Sequence, residues 1–271
     1  LLPGIIDDHV HFRDPGLTHK ADILTESRAA AAGGVTSIMD MPNTNPLTVT
    51  LDALNAKLDL LNEKCIVNHS CYFGATNNNY TEFDKLDKHR VCGIKLFMGS
   101  STGNMLVDKM NSLLNIFNGT DMLIAAHCED QETIKNNIEK YKQKYKGADD
   151  IPVSAHPSIR SVPACYASSE LAVRLAKIAG ARLHILHVST AKELQLFSDE
   201  PLASKNITAE ACVAHLLFTL THYNSLGTRI KCNPAVKRKT DREALRTAVN
   251  SGLIDVIATD HAPHLLSEKE G

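Results

Sequence analysis

The chain lacks the features that would make it a nucleic-acid or membrane protein. Its 271 residues hold 29 Lys+Arg against 31 Asp+Glu, a formal net charge of −2, with no basic block. The electrostatic footprint of a polyanion binder is therefore missing. No apolar run reaches the 18 or so residues of a membrane span, and no signal peptide is visible. None of the seven cysteines, Cys65, Cys71, Cys92, Cys128, Cys165, Cys212 and Cys232, forms a C-x-x-C pair. An odd, scattered set of this kind suits reduced thiols in a cytoplasmic protein better than a disulfide framework. Internal repeats and low-complexity tracts are lacking too. An initiator Met is also missing: the chain opens on Leu1-Leu2-Pro3-Gly4 and stops at Gly271 in a polar stretch, as expected of an excerpt from a longer protein.

What is there is enough to fold. With 43% hydrophobic and 22% charged residues, the chain can bury a full core without disulfides. Eight short apolar runs predict strands over Gly4–His11, Val35–Met41, Cys65–Phe73, Gly93–Phe97, Met122–His127, Arg182–His187, Ile207–Glu210 and Asp255–Thr259. Longer stretches between them predict helices over Thr25–Ala32, Thr50–Lys64, Asp108–Asn118, Asp130–Lys146, Pro163–Ala179, Ala211–Tyr223 and Asp241–Ser251. Pro163 stands near a helix start, and Gly33-Gly34 and Gly180 stand where helices should stop. Alternation of this kind over roughly 250 residues predicts an α/β fold, a closed (β/α)8 TIM-like barrel forming one catalytic domain over residues 1–271. Lys146–Val162 breaks the rhythm and is expected to be a long loop on the active-site side.

In such a barrel, side chains at the C-terminal ends of the strands converge on one site. The first run ends in Asp8-His9-Val10-His11, where the two-residue strand period lets both imidazoles reach one ion. Alone, this is equally a pair of satisfied or exposed histidines. It is joined by His127 at the end of the fifth run, His187 at the end of the sixth and Asp260 after the eighth. Four imidazoles and a carboxylate form a nitrogen/oxygen set suited to zinc or a similar divalent metal. His184, three residues before the end of its run, reads as a packed histidine. Lys95 lies inside an apolar strand, where an unpaired ammonium is costly. A buried salt bridge would neutralise it; so would conversion by CO2 to a carbamate, an anionic ligand bridging two metals. Six ligands exceed the need of one tetrahedral zinc and suggest a two-metal centre.

The motifs His9-Val10-His11-Phe12-Arg13-Asp14-Pro15-Gly16, Met41-Pro42-Asn43-Thr44, Lys231-Cys232-Asn233-Pro234 and Thr259-Asp260-His261-Ala262-Pro263-His264 run nearly the whole length of the chain. With Lys95-Leu96-Phe97-Met98-Gly99-Ser100-Ser101-Thr102-Gly103-Asn104, they resemble the cyclic-amide hydrolases of the amidohydrolase superfamily, and among these the dihydroorotase family. The resemblance implies two divalent metal ions, zinc by preference, held by His9, His11, a carbamylated Lys95, His127, His187 and Asp260. It also implies reversible hydrolysis of L-dihydroorotate to N-carbamoyl-L-aspartate, with a metal-bridging hydroxide as nucleophile and Asp260 as general acid/base. Arg13, Asn43 and His264 are expected on the substrate carboxylate and Asn233 near the polar edge of the ring.

Arg13 matters because its guanidinium fork fits a carboxylate that allantoin and dihydropyrimidines lack. The plainer alternative is a surface charge on a loop. Allantoinase, a hydantoinase-like dihydropyrimidinase and a non-catalytic member of the superfamily are the rival functions. The family also implies a homodimer, and a flanking β-sandwich and last barrel helix beyond the ends of this chain. Gly99–Asn104 is a candidate mobile element over the site, His261 a candidate loop cap and Cys128 a packing residue.

Overall fold

A computed structural model describes residues 2–99, 105–147 and 151–270. Eight parallel strands form one sheet in chain order, β1 to β8. They are β1 (Ile5–Val10), β2 (Val35–Asp40), β3 (Asn68–Gly74), β4 (Val91–Phe97), β5 (Ile124–His127), β6 (Leu183–Ile185), β7 (Ile207–Cys212) and β8 (Val256–Ala258). The sheet closes on itself: Val10 bridges His261, and the His11 amide donates to the His261 carbonyl at 2.8 Å. The expected barrel is therefore the fold. Its strands are apolar on both faces because a parallel barrel is covered outside by helices and filled inside by side chains.

The helices start where short polar side chains take up free amides. Asp22 caps α1 (Ile23–Ala32) by accepting from the Thr25 amide at 2.8 Å, and Thr50 caps α2 (Leu51–Lys64) at 3.2 Å. Asp130 does the same for α4 (Gln131–Tyr145), which follows α3 (Met110–Asn118). After the one-turn α5 (His156–Ile159), α6 (Val162–Ala179) carries Pro163 in its first turn and ends on Gly180 at φ 66°, a left-handed position that glycine adopts without strain. The outer core packs Ile23, Leu54, Leu61, Ile116, Ala172 and Leu245 against Ile38, Phe73, Ile94 and Ile124 of the barrel wall.

Three expectations need correction. The segment Ala211–Tyr223 is not one helix. Ala211 and Cys212 stay in β7, paired with Ile257 and Ala258, and only Val213–Leu217 (α7) is helical before Phe218 returns to extended backbone. There the buried His215 ring donates from Nε2 to the Pro234 carbonyl at 2.9 Å. Second, β3 begins at Asn68, because Cys65 caps α2 and Ile66 and Val67 make the turn. Third, Lys146–Val162 contains the helical turns Val153–Ala155 and α5, residues 148–150 lying outside the described part. Of Gly99–Asn104, residues 100–104 also lie outside it. The remaining helices are α8 (Tyr223–Leu226), α9 (Lys239–Asn250) and α10 (Leu266–Glu270).

Candidate metal centre and binding cavity

A cavity of about 860 Å3 opens at the C-terminal ends of the strands, lined by all ten residues singled out by the sequence: His9, His11, Arg13, Asn43, Lys95, His127, His187, Asn233, Asp260 and His264. Strand ends bring them together across 255 residues of sequence. His9 Nε2 and His11 Nε2 lie 3.2 and 3.1 Å from Asp260 Oδ1. His127 Nδ1 faces His187 Nε2 at 2.8 Å, and the His9 and His187 rings are 5.4 Å apart between centroids. Arg13, His187 and Asp260 take positive φ values of 67°, 40° and 50°. A non-glycine residue is strained there, and three such residues around one cavity mark a site over-determined by its surroundings. His187 and Asp260 accordingly lie just past β6 and β8, where the backbone turns their side chains over the barrel mouth.

Three of the four histidines have their outward nitrogen held by a second residue. His9 Nδ1 is bonded to Glu210 Oε1 at 3.0 Å, His11 Nδ1 to Asn43 Oδ1 at 2.8 Å and His127 Nε2 to Glu129 Oε2 at 3.1 Å. A carboxylate or amide oxygen can only accept, so each ring donates outward and turns a lone pair inward. With neutral rings those lone pairs face the Asp260 carboxylate and suit a cation; protonated, the His9 and His11 rings would instead donate to Asp260 Oδ1. His9, His11 and Asp260 can each present one ligand atom within 4.8 Å of the others. Burial pushes the Asp260 carboxyl up, but the His9 and His11 rings outweigh it and hold it well below the usual carboxylate range. For Glu129 too, burial works upward and loses to the His127 hydrogen bond and Arg160, leaving a pKa of about 2. Burial lowers the Lys95 amine to about 8, and its Nζ lies 4.5 Å from the centre of the Phe97 ring.

Around the mouth, Arg13 donates from Nε to the Pro263 carbonyl at 3.0 Å, and its Nη2 lies 3.2 Å from His264 Nε2. Lys20, Arg229, Lys231 and Lys269 line the same cavity. Gly16, in the first motif, sits at φ 82° where any Cβ would come within 1.8 Å of the Asn45 carbonyl oxygen, so only glycine lets the first and second loops close.

Residues 1–193 match the family model described as Dihydro-orotase-like. The chain belongs to the dihydro-orotase-like family. It is 34% identical over 271 residues to a dihydroorotase of Halobacterium salinarum, covering 99% of this chain and 61% of the relative. A dihydroorotase of Methanosphaera stadtmanae is 34% identical over 277 residues, covering 100% of this chain and 60% of that protein. Among solved structures, an L-hydantoinase (dihydropyrimidinase) from Arthrobacter aurescens superposes with a TM-score of 0.91 at 28% identity, covering 99% of this chain and 60% of that one. A dihydropyrimidinase from Brevibacillus agri has the same barrel, with a TM-score of 0.85 at 22% identity over 98% of this chain and 59% of its own. The chain thus spans about three fifths of the length of these relatives. No helix among the described residues is long and apolar enough to cross a membrane.

Sequence reasoning missed the residues that hold the dihydro-orotase-like site in place. Glu210, Glu129 and Asp7 carry no motif signal of their own. Asp7 accepts from the Thr259 amide and hydroxyl at 3.2 and 2.6 Å, fastening the end of β8 to β1 beside Asp260. Asn43, expected on the substrate, has its Oδ1 engaged by His11. His184, set aside as packing, is buried against Asp8 and Glu210. His261 pairs with Glu26 outside the cavity, and Cys128 packs in the outer core.

Proposed function

We propose that this chain is the catalytic barrel of a dihydroorotase, which interconverts L-dihydroorotate and N-carbamoyl-L-aspartate by opening and closing a cyclic amide. The observation that carries the reading is the position of Arg13. It is buried to 8% exposure beside the His/Asp cluster, and Lys20, Arg229, Lys231 and Lys269 line the same cavity. A cationic fork next to the reacting centre selects a substrate with a carboxylate on its ring. The L-hydantoinase likeness favours a second reading, a neutral cyclic ureide, which would leave Arg13 without a partner charge.

The donor set fits two divalent metals, zinc by preference, which His9, His11, Lys95, His127, His187 and Asp260 would hold. When bound, they supply Lewis-acid polarisation of the carbonyl and make a water acidic enough to be a nucleophile at neutral pH. Lys95 is suited to carry a carbamate because burial brings its amine down to about 8, where the free base needed to add CO2 is available. Asp260, ionised at rest, takes a proton from the attacking water and passes it to the ring nitrogen as the amide C–N bond breaks. Arg13 and His264 orient the substrate carboxylate, and Asn233 contacts the polar edge of the ring. The family likeness supports a single catalytic domain in a cytoplasmic homodimer.

The test is turnover by the full-length protein, loaded with zinc and bicarbonate, of L-dihydroorotate beside hydantoin, dihydrouracil and allantoin. Turnover of dihydroorotate in large excess over the others is expected. Preference for a substrate without a carboxylate would overturn the reading of Arg13.

A further inference from the structure

Below the cavity, and outside its lining, three side chains meet that the proposed reaction does not use: Asp8 of β1, His184 of β6 and Glu210 of β7. His184 Nε2 lies 3.5 Å from Asp8 Oδ2 and 3.7 Å from Glu210 Oε2. The side chains of His184 and Glu210 are 3% and 0% exposed, that of Asp8 16%. A register irregularity in β1 between Asp7 and Val10 accompanies the turning of both Asp8 and its neighbour His9 toward Glu210.

Hydrogen counting shows what is missing here. The Thr208 hydroxyl lies 2.7 Å from His184 Nδ1 and 3.4 Å from the Leu183 carbonyl. In the tautomer whose Nδ1 donates to that hydroxyl, Nε2 carries a lone pair. Glu210 Oε1 is already supplied by His9 Nδ1, the His187 amide and the Cys212 thiol, whereas Oε2 has no hydrogen-bond partner. Asp8 Oδ1 and His184 Nε2 also have none. In that tautomer a nitrogen lone pair and two carboxylates face one another in a buried space, and His184 Nε2, Asp8 Oδ1 and Glu210 Oε2 have no hydrogen-bond partner. Unmet buried acceptors are costly, and carboxylates more so.

A single water carries two hydrogens and would leave one of the three groups unmet. A divalent cation satisfies all of them and neutralises both carboxylates. Tetrahedral zinc with nitrogen and oxygen ligands at about 2.0–2.2 Å sets those ligands roughly 3.3–3.6 Å apart, close to the 3.5 and 3.7 Å measured from His184 Nε2. One ligand atom from each residue lies within 4.8 Å of the others. One imidazole and two carboxylates, with a fourth position open, suit zinc or a similar divalent transition metal.

We propose that Asp8, His184 and Glu210 form an interior divalent-metal site, separate from the residues that line the cavity. Its role is structural. It ties β1, β6 and β7 together at the level where their ends turn over the mouth, and it fixes the carboxylate that orients His9. The proposal goes beyond the dihydroorotase reading and does not depend on its substrate.

The test uses the full-length protein with zinc as the only metal, desalted and crystallised, with diffraction recorded at the zinc edge. An anomalous peak is expected at bonding distance from Asp8, His184 Nε2 and Glu210 Oε2, and it persists in a His11→Ala, Asp260→Ala protein that has lost its cavity ligands. Elemental analysis should find one zinc per chain fewer in His184→Gln and in Asp8→Ala than in the unaltered protein. No peak at that position in the unaltered protein overturns the proposal whatever the variants do, and zinc content unchanged in His184→Gln overturns it independently. Loss of every zinc from a variant leaves the decision with the peak in the unaltered protein.

Discussion

Replacing Lys57 with Met isolates one buried interaction on which the first loop rests. Lys57, on α2, is fully buried, with Nζ 2.6 Å from Asp40 Oδ2 at the end of β2 and 2.5 Å from the Met41 carbonyl. Asp40, also fully buried, accepts the Phe12 amide on Oδ1 at 2.8 Å, one residue before Arg13 and its positive φ. Methionine has nearly the length of the lysine stem, so Lys57→Met makes little cavity; it removes the charge and leaves Asp40 buried and unpaired. Breaking a buried pair from one side costs about 3–5 kcal/mol, of which the lost bond to Met41 is about 1. Against a domain stability of about 5–15 kcal/mol, that is a large fraction. Urea denaturation at pH 7 should show a loss of this size at unchanged slope. The double variant Asp40→Leu, Lys57→Met, which removes both charges, should recover a large part of it. A loss below about 1 kcal/mol for Lys57→Met would refute the argument, since it would mean that Asp40 is not charged or not dry.

Other expectations follow from the site. Arg13→Ala should lower kcat/KM for dihydroorotate by about 100- to 1000-fold, the worth of two charge-assisted hydrogen bonds, with metal content unchanged; equal loss of both would assign Arg13 a structural role. Glu129→Gln should weaken zinc binding by about 10- to 100-fold, measured by competition with a chelator, because His127 loses the carboxylate that orients it; unaltered affinity would remove Glu129 from the site. Burial lowers the His156 pKa from 6.5 to about 4, its Nε2 bonded to the Cys232 carbonyl at 2.9 Å. The folded state thus holds the neutral ring, the unfolded chain gains a proton first as pH falls, and the contribution is full above pH 6.5 and lost down to pH 4. It amounts to about 3 kcal/mol. The stability of His156→Gln should therefore fall less than that of the unaltered protein between pH 6.5 and 4, and parallel curves would show the ring is solvated.

The barrel and the histidines and aspartate of the cavity were legible in the sequence for one reason. Strands of a parallel barrel are apolar on both faces, so a polar residue at the end of such a run stands out against its neighbours. His9, His11, His127, His187 and Asp260 are all of this kind, and Lys95 is conspicuous within its run. The Ala211–Tyr223 segment was misread because its apolar residues suit either period, and pairing with β8 decided where the strand continued. Lys57 reads as an ordinary helix-surface lysine until α2 is seen packed over Asp40.

By itself, the sequence determined the alternation of strands and helices, the inventory of donors at the strand ends and the presence of Arg13 beside them. The tertiary structure decided which nitrogen of three of the four histidines faces the cavity, because that choice belongs to Glu210 for His9, 201 residues away, to Asn43 for His11 and to Glu129 for His127. It also decided that Asp8, His184 and Glu210 meet. Composition and period record what a residue can donate or accept. Whether a donor is left to satisfy it depends on which groups closure of the barrel buries together, and local sequence carries no record of that.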